Sequence, residues 1–142
     1  MSNQLCTPVA AEVCSVSKNQ LNLEAFARIE AELIDAPGAI WDPPLLKHLF
    51  APGIYIREIH MPAGIYVLGA QHKTEHFNIV LTGRAAVFMD GEFHLIKAPC
   101  TIKSDVDVRK FLLIEEDMIW QTVHPNPDNE RDVKVLESRL FE

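Results

Sequence analysis

Two histidines four residues apart, His72 and His76, lie between two apolar runs in the stretch Gly64 to Gly83. On an extended chain, residues of equal parity face one way. Ala70, His72, Thr74, His76 and Asn78 are therefore expected to share one interior wall if the turn between the runs keeps parity. Glu75 has the opposite parity and enters only at a sharp turn. A transition metal with an open position needs about three protein ligands, and His124, on the last apolar run, is the natural third. Two chemistries follow. In one, His72, His76, Asn78, Lys103, Arg109 and His124 contact a small polar or anionic molecule without turnover. In the other, His72, His76 and His124 hold one divalent Fe, Mn, Zn or Ni ion and leave positions for substrate and water or O₂.

Each residue also has an ordinary explanation. Imidazoles beside a sheet are often satisfied by backbone carbonyls or water, and His124 can simply end the last strand before Pro125. Lys103, Arg109 and Lys110 also suit a solvated strand edge, where charge resists aggregation. His48, His60 and His94 have no partner at ligand spacing, and Trp41 and Trp120 read as core or interface aromatics. The sequence has no glycine-rich phosphate loop, serine nucleophile motif or CysXXCys pair.

Short strands must position these residues. Period-two patterns predict strands at 54–60, 65–68, 76–81, 84–89, 93–97, 109–114 and 118–123. Turn signals separate them at Pro62 to Gly64, Thr82-Gly83, Asp90-Gly91 and Glu115 to Asp117. Asp90-Gly91 is the strongest of these, because a two-residue type I′ turn needs positive φ at both central positions. Many short strands with no room for long crossovers indicate an all-β sandwich or barrel. Residues 37–52 hold four prolines, so no more than a short turn around Leu45 to Phe50 is expected there. Ahead of them, Ser17 and Gln20 have capping-box spacing, and Leu23, Phe26, Ile29 and Leu33 predict one amphipathic helix of about 13 to 15 residues. It is expected to cover one face of the barrel or to meet a partner. Residues 1–20 read as a flexible arm and 21–142 as one domain with a covering helix. The tail from Asp128 suits a short helix or strand packed outside.

Composition sets the outer limits. A chain of 142 residues with 48% hydrophobic content is long enough to bury one core without a staple. Its formal charge of −7 argues against general binding to nucleic acid or an anionic membrane. Three cysteines without metal-knuckle spacing fit a reducing compartment. No basic region precedes an apolar core at the N-terminus, and no apolar run approaches roughly eighteen residues. The expected location is therefore the cytoplasm.

The central stretch resembles the first signature of the cupin superfamily: a glycine, five residues, His-x-His, three or four residues, Glu, six residues and a glycine. Gly64, residues 65–69, the three residues between His72 and His76, and the six between His76 and Gly83 keep that spacing. Ala70 stands where the first His belongs and His76 where the Glu belongs, so only His72 keeps its family identity. The second signature is similar to Gly91 followed by Pro99 to Ser104, with Ser104 where the fourth ligand would be. The segments 72–76 and 122–125 also look like those of small cupin-like proteins of tailed bacteriophages. The resemblance implies a single cupin-like β-barrel (double-stranded β-helix, or jelly roll) carrying the N-terminal helix. It implies a family that includes oxygenases, isomerases, lyases and non-catalytic proteins. A phage origin implies the host cytoplasm and a metabolite or nucleotide as ligand; a structural assembly role is the remaining alternative. Apolar residues on both faces of 76–81 and 84–89 further predict a two-fold homodimer that buries the outer face.

Overall fold

The computed structural model describes residues 4–8, 18–34 and 45–141, with side chains described over 24–33 and 45–141. Ser17, the stop at 35–38 and Trp41 lie outside the described residues. The strands are β1 (Gln4–Pro8), β2 (Leu45–Ala51), β3 (Gly53–Met61), β4 (Tyr66–Leu68), β5 (His76–Met89), β6 (Glu92–Lys97), β7 (Cys100–Ser104) and β8 (Phe111–Asn126), with helices α1 (Lys18–Ile34) and α2 (Val133–Leu140). All pairings are antiparallel, in the order β1-β6-β5-β8-β3-β2, with β4 added on β8 and β7 on β5. Within the segment read as an arm, β1 lies along β6 from Gln4↔Ile96 to Pro8↔Glu92.

Two long strands tie the barrel together. The first half of β5 pairs with β7 and the second half of β8, while the second half of β5 pairs with β6 and the first half of β8. Thr82-Gly83 and Glu115 to Asp117, expected as turns, are instead bends inside these strands, marked by register shifts between Val80 and Ala85. Gly83 has φ +90°, and a Cβ there would stand 2.4 Å from the Asp117 carbonyl oxygen. The close approach requires glycine, which is why a glycine that reads as a turn sits in mid-strand.

Two further strands depart from expectation. β2 forms where only a turn is expected, because Pro43, Pro44 and Pro52 flank the seven residues of β2 without interrupting them. β7, also unexpected, runs from Cys100↔Val80 to Ser104↔His76. Asp90 (φ 53°) and Gly91 (φ 75°) form the tight β5–β6 hairpin as expected.

The core fills one end of the barrel with Met61, Val80, Ala85, Val87, Met89, Ile96, Ile102, Leu112, Ile114, Met118 and Trp120. Phe26 of α1 is buried and meets Phe88 edge-on at 5.5 Å. The tail forms α2, capped by the Asp132 carboxylate on the Lys134 and Val135 amides and seated on the barrel by Leu136 and Leu140.

Candidate functional site

The other end of the barrel interior is polar. There β3, β5 and β8 turn Tyr55 and Arg57, His76 and Asn78, and Thr122 and His124 inward, all of them buried. Ser104 joins them opposite His76 on β7. His72 arrives from the β4–β5 connection, held by its carbonyl, which accepts from the Asp107 amide at 2.9 Å.

The three histidines of the sequence reading come together. His72 and His76 stack with ring centroids 4.0 Å apart and planes 25° apart. His124 lies 5.1 Å from His76 and 5.8 Å from His72. Burial pushes all three pKa values down, to about 2 for His72 and about 3 for His124, with the neighbouring His76 adding to both shifts. The rings are therefore neutral at neutral pH.

Partners within the protein satisfy only part of this cluster. His76 Nδ1 lies 3.0 Å from the Thr74 carbonyl, and His124 Nε2 lies 2.9 Å from the Thr122 hydroxyl. His72 Nδ1, Thr74 Oγ1, His76 Nε2 and His124 Nδ1 are buried with no hydrogen-bond partner among the described residues. Each such atom costs about 1–3 kcal/mol while it stays unpaired. Asn78 differs. Its amide donates to Ser104 Oγ (2.8 Å) and the Ile102 carbonyl (3.2 Å), and accepts from the Trp120 indole (3.0 Å). It joins the polar end to the apolar one.

Two cations, Arg57 and Lys110, are buried, 8% and 7% exposed. The charges of both depress the His72 pKa. Arg57 donates to the Glu137 carboxylate at 3.1 Å and lies 4.7 Å over the Phe141 ring. Burial lowers the Lys110 pKa to about 8. By contrast, Lys103 points outward, half exposed, and pairs with Glu75 and Asp105. Arg109 donates to the Gly69 carbonyl and pairs with Glu30 of α1. Arg57 is hidden in the sequence because the strand pattern around it is inverted, whereas Lys110, weighed in the sequence beside Lys103 and Arg109, lies just ahead of β8. Tyr55 and Arg57 face in while Ile54 and Ile56 face out, so the usual rule of apolar residues inward reads this wall backwards. Parity with Tyr55 was the usable signal.

The C-terminal segment roofs the chamber. The Leu140 carbonyl accepts from the Lys73 amide at 2.7 Å, the Ser138 carbonyl accepts from Lys73 Nζ, and the Phe141 ring stands edge-on to His72 at 4.8 Å.

As oriented, these rings do not fit a metal ion. A ligand nitrogen's lone pair lies in its ring plane, and the nearly parallel, stacked planes of His72 and His76 share no nearby point. Among the described residues no group of three or more His, Cys, Asp or Glu side chains is arranged to hold one. A separate cavity of about 230 Å³, lined by Phe50, Ala51, Pro52, Asn126, Asn129 and Arg131, contains none of the expected site residues. No described helix is long and apolar enough to cross a membrane.

No family model matches the chain, and no curated protein matches its sequence. Solved structures do. An RmlC-like cupin family protein with a double-stranded β-helix fold from Methanocaldococcus jannaschii is 16% identical with a TM-score of 0.50, over 59% of this chain and 82% of that one. The DMSP lyase DddQ from Ruegeria pomeroyi is 14% identical with a TM-score of 0.55, over 68% of this chain and 54% of that one. A salicylate 1,2-dioxygenase from Pseudaminobacter salicylatoxidans is 15% identical with a TM-score of 0.55, over 84% of this chain and 34% of that one. At such identities the likeness establishes the fold alone: an all-β cupin fold, on which many chemistries occur.

Proposed function

We propose, with the cupin fold as premise, that this protein binds a small anionic molecule in the histidine chamber without turning it over. The observation that carries the reading is the chamber's charge balance. Buried Arg57 and three neutral imidazoles meet one carboxylate, Glu137, which is itself 42% exposed and held by Arg57, and the charge of buried Lys110 also reaches His72. An enclosed site with excess positive charge and unpaired polar atoms is complementary to an anion that supplies the missing partners. Phe141 and Glu137 must shift to admit it, since they cover His72 and Arg57. The phage-like segments make metabolites and nucleotides of an infected host's cytoplasm the first panel to test. A ligand that binds only the folded state raises the melting temperature by mass action. The reading expects such a rise with at least one anion and no stoichiometric metal in protein purified without an affinity tag. One transition ion per chain would favour a metal-dependent enzyme instead, and neither metal nor ligand would favour an assembly role.

A two-fold dimer is proposed with it. The inverted pattern that turns polar residues inward leaves Leu49, Ile56, Val123 and Phe77 in register as one apolar row across the outer faces of β2, β3, β8 and β5. Such a row is self-complementary about a two-fold axis. Light scattering at micromolar concentration should give twice the 16.0 kDa chain mass, and Ile79→Glu should halve it; a monomeric unmutated protein would end the proposal.

A further inference from the structure

The cavity that contains none of the histidines is built by two turns pinned to each other. The β2–β3 turn supplies Phe50, Ala51 and Pro52, and the end of β8 with the loop after it supplies Asn126, Asn129 and Arg131. Asn129 stands in the left-handed region at φ 54°, which asparagine tolerates, and its side-chain oxygen accepts from the Gly53 amide at 2.8 Å. Asn126, only 2% exposed, closes the loop: its side-chain amide donates to the Glu130 carbonyl at 2.8 Å and accepts from the Glu130 amide at 3.2 Å. The Phe50 ring is fixed by Tyr55, which meets it edge-on at 5.2 Å. The walls are therefore held by the protein's own contacts, and an occupant need not order them.

One charge in this cavity is left over. Asp128, Glu130 and Asp132 all lie within three residues of Arg131 in the chain, and each is turned elsewhere. Asp128 pairs with Arg139 at 2.8 Å, the Glu130 carboxylate accepts from the Arg131 and Asp132 amides, and Asp132 caps α2. Among the described residues the Arg131 guanidinium has no ion-pair partner, and it lies over the Phe50 ring, 5.1 Å from the centroid. An aromatic ring takes only the flat face of a guanidinium. The N–H edges keep their capacity for a second partner. The Asn129 side-chain amide adds to them, since its oxygen is used by Gly53 and its N–H groups have no partner among the described residues.

The lining thus has two sides. Phe50, Ala51 and Pro52 offer apolar surface, Arg131 and Asn129 offer donors, and none of the lining residues is acidic. A guanidinium fork matches one carboxylate, and its single charge balances a monoanion but leaves a dianionic phosphate half neutralised. A volume of about 230 Å³ falls below the ~300–1,000 Å³ of pockets for drug-sized ligands, so the body of the ligand is no larger than about one ring. We propose that this cavity is a second binding site, separate from the histidine chamber, for a small monocarboxylate with an apolar body. The carboxylate meets Arg131 and the Asn129 amide, and the body lies against Phe50 and Pro52.

The test is a titration of the isotope-labelled full chain with benzoate and phenylacetate, followed by amide NMR. Saturable shifts are expected at the Gly53 and Asn129 amides, and the acids should bind at least about tenfold tighter than benzamide and phenylacetamide, which keep the body and lose the charge. Arg131→Met should remove that preference, Arg131→Lys should keep part of it, and neither should move the melting temperature, because the residue is exposed. His124→Leu should leave the affinity for phenylacetate unchanged, which separates this site from the chamber. Acids that shift neither Gly53 nor Asn129 overturn the proposal, and so do acids whose shifts are confined to Thr74 and His76, a result that supports the chamber instead. Equal binding of acid and amide removes the role of Arg131 and overturns it as well. Phenyl phosphate binding tighter than phenylacetate overturns the choice of a monoanion.

Discussion

The two ends of the barrel are built from the same strands and obey opposite rules. Along β5, Val80, Ala85 and Val87 pack into a closed apolar core, while His76 and Asn78, a few residues earlier, face a chamber of buried polar groups. The apolar end is stable for the ordinary reason that burying apolar surface contributes about 25 cal/mol per Å². The polar end holds imidazole nitrogens and a threonine hydroxyl with no hydrogen-bond partner among the described residues, which oppose folding. A fold needs only the first kind of interior. The second kind is what the anion-binding proposal accounts for.

Acid should expose the contrast most strongly. The folded pKa values of His72 and His124 lie below the ordinary histidine value of 6.5, so the unfolded chain binds more protons between that value and about 3. Stability contributed by the neutral rings is complete above pH 6.5 and is lost as pH falls towards the folded values. The loss approaches about 1.4 kcal/mol per pH unit for each ring. Urea titrations at pH 7, 5 and 4 should show this slope, and His72→Leu should reduce it; a pH-independent midpoint would mean that the rings take up protons in the fold as readily as in the unfolded chain.

Truncation at the apolar end comes next. Ile114→Ala should cost about 2–5 kcal/mol, through lost burial and the cavity left behind. Gly83→Ala acts at the bend between the ends and should cost about 1–3 kcal/mol, because its positive φ and the Asp117 carbonyl leave no place for a Cβ. Both are read from denaturant midpoints. The smallest effect should have the opposite sign. His124→Leu replaces a partly unpaired buried ring with an apolar side chain, and should leave stability unchanged or raise it by about 1 kcal/mol while reducing anion binding. A loss as large as that of Ile114→Ala would show that the two ends obey the same rule.

The sequence reveals these ends unequally. Asp90-Gly91 is legible because its turn type demands a particular backbone; His72, His76 and His124 do converge, but His72 does so from the β4–β5 connection, not by strand parity, and Ala70, expected on the same wall, is exposed. β2 is hidden by flanking prolines, and β5 reads as two strands because Gly83 allows close packing where a turn is expected. Arg57 is hidden for a deeper reason. Patterning assumes that polar residues face water, and here Arg57 faces in while Ile56 faces out. Where the pattern is reversed, only the closed barrel shows which side is inside.

The roof formed by α2 and Phe141 has a consequence for the protein's synthesis. Both follow every strand of the barrel in the chain, since β8 ends at Asn126 and α2 begins at Val133. Translation runs in that order, at about 5–20 residues per second. The pairing of β1 to β8 uses no residue of α2, so the strands do not require their cover in order to find one another, and the cover can dock on a barrel already closed.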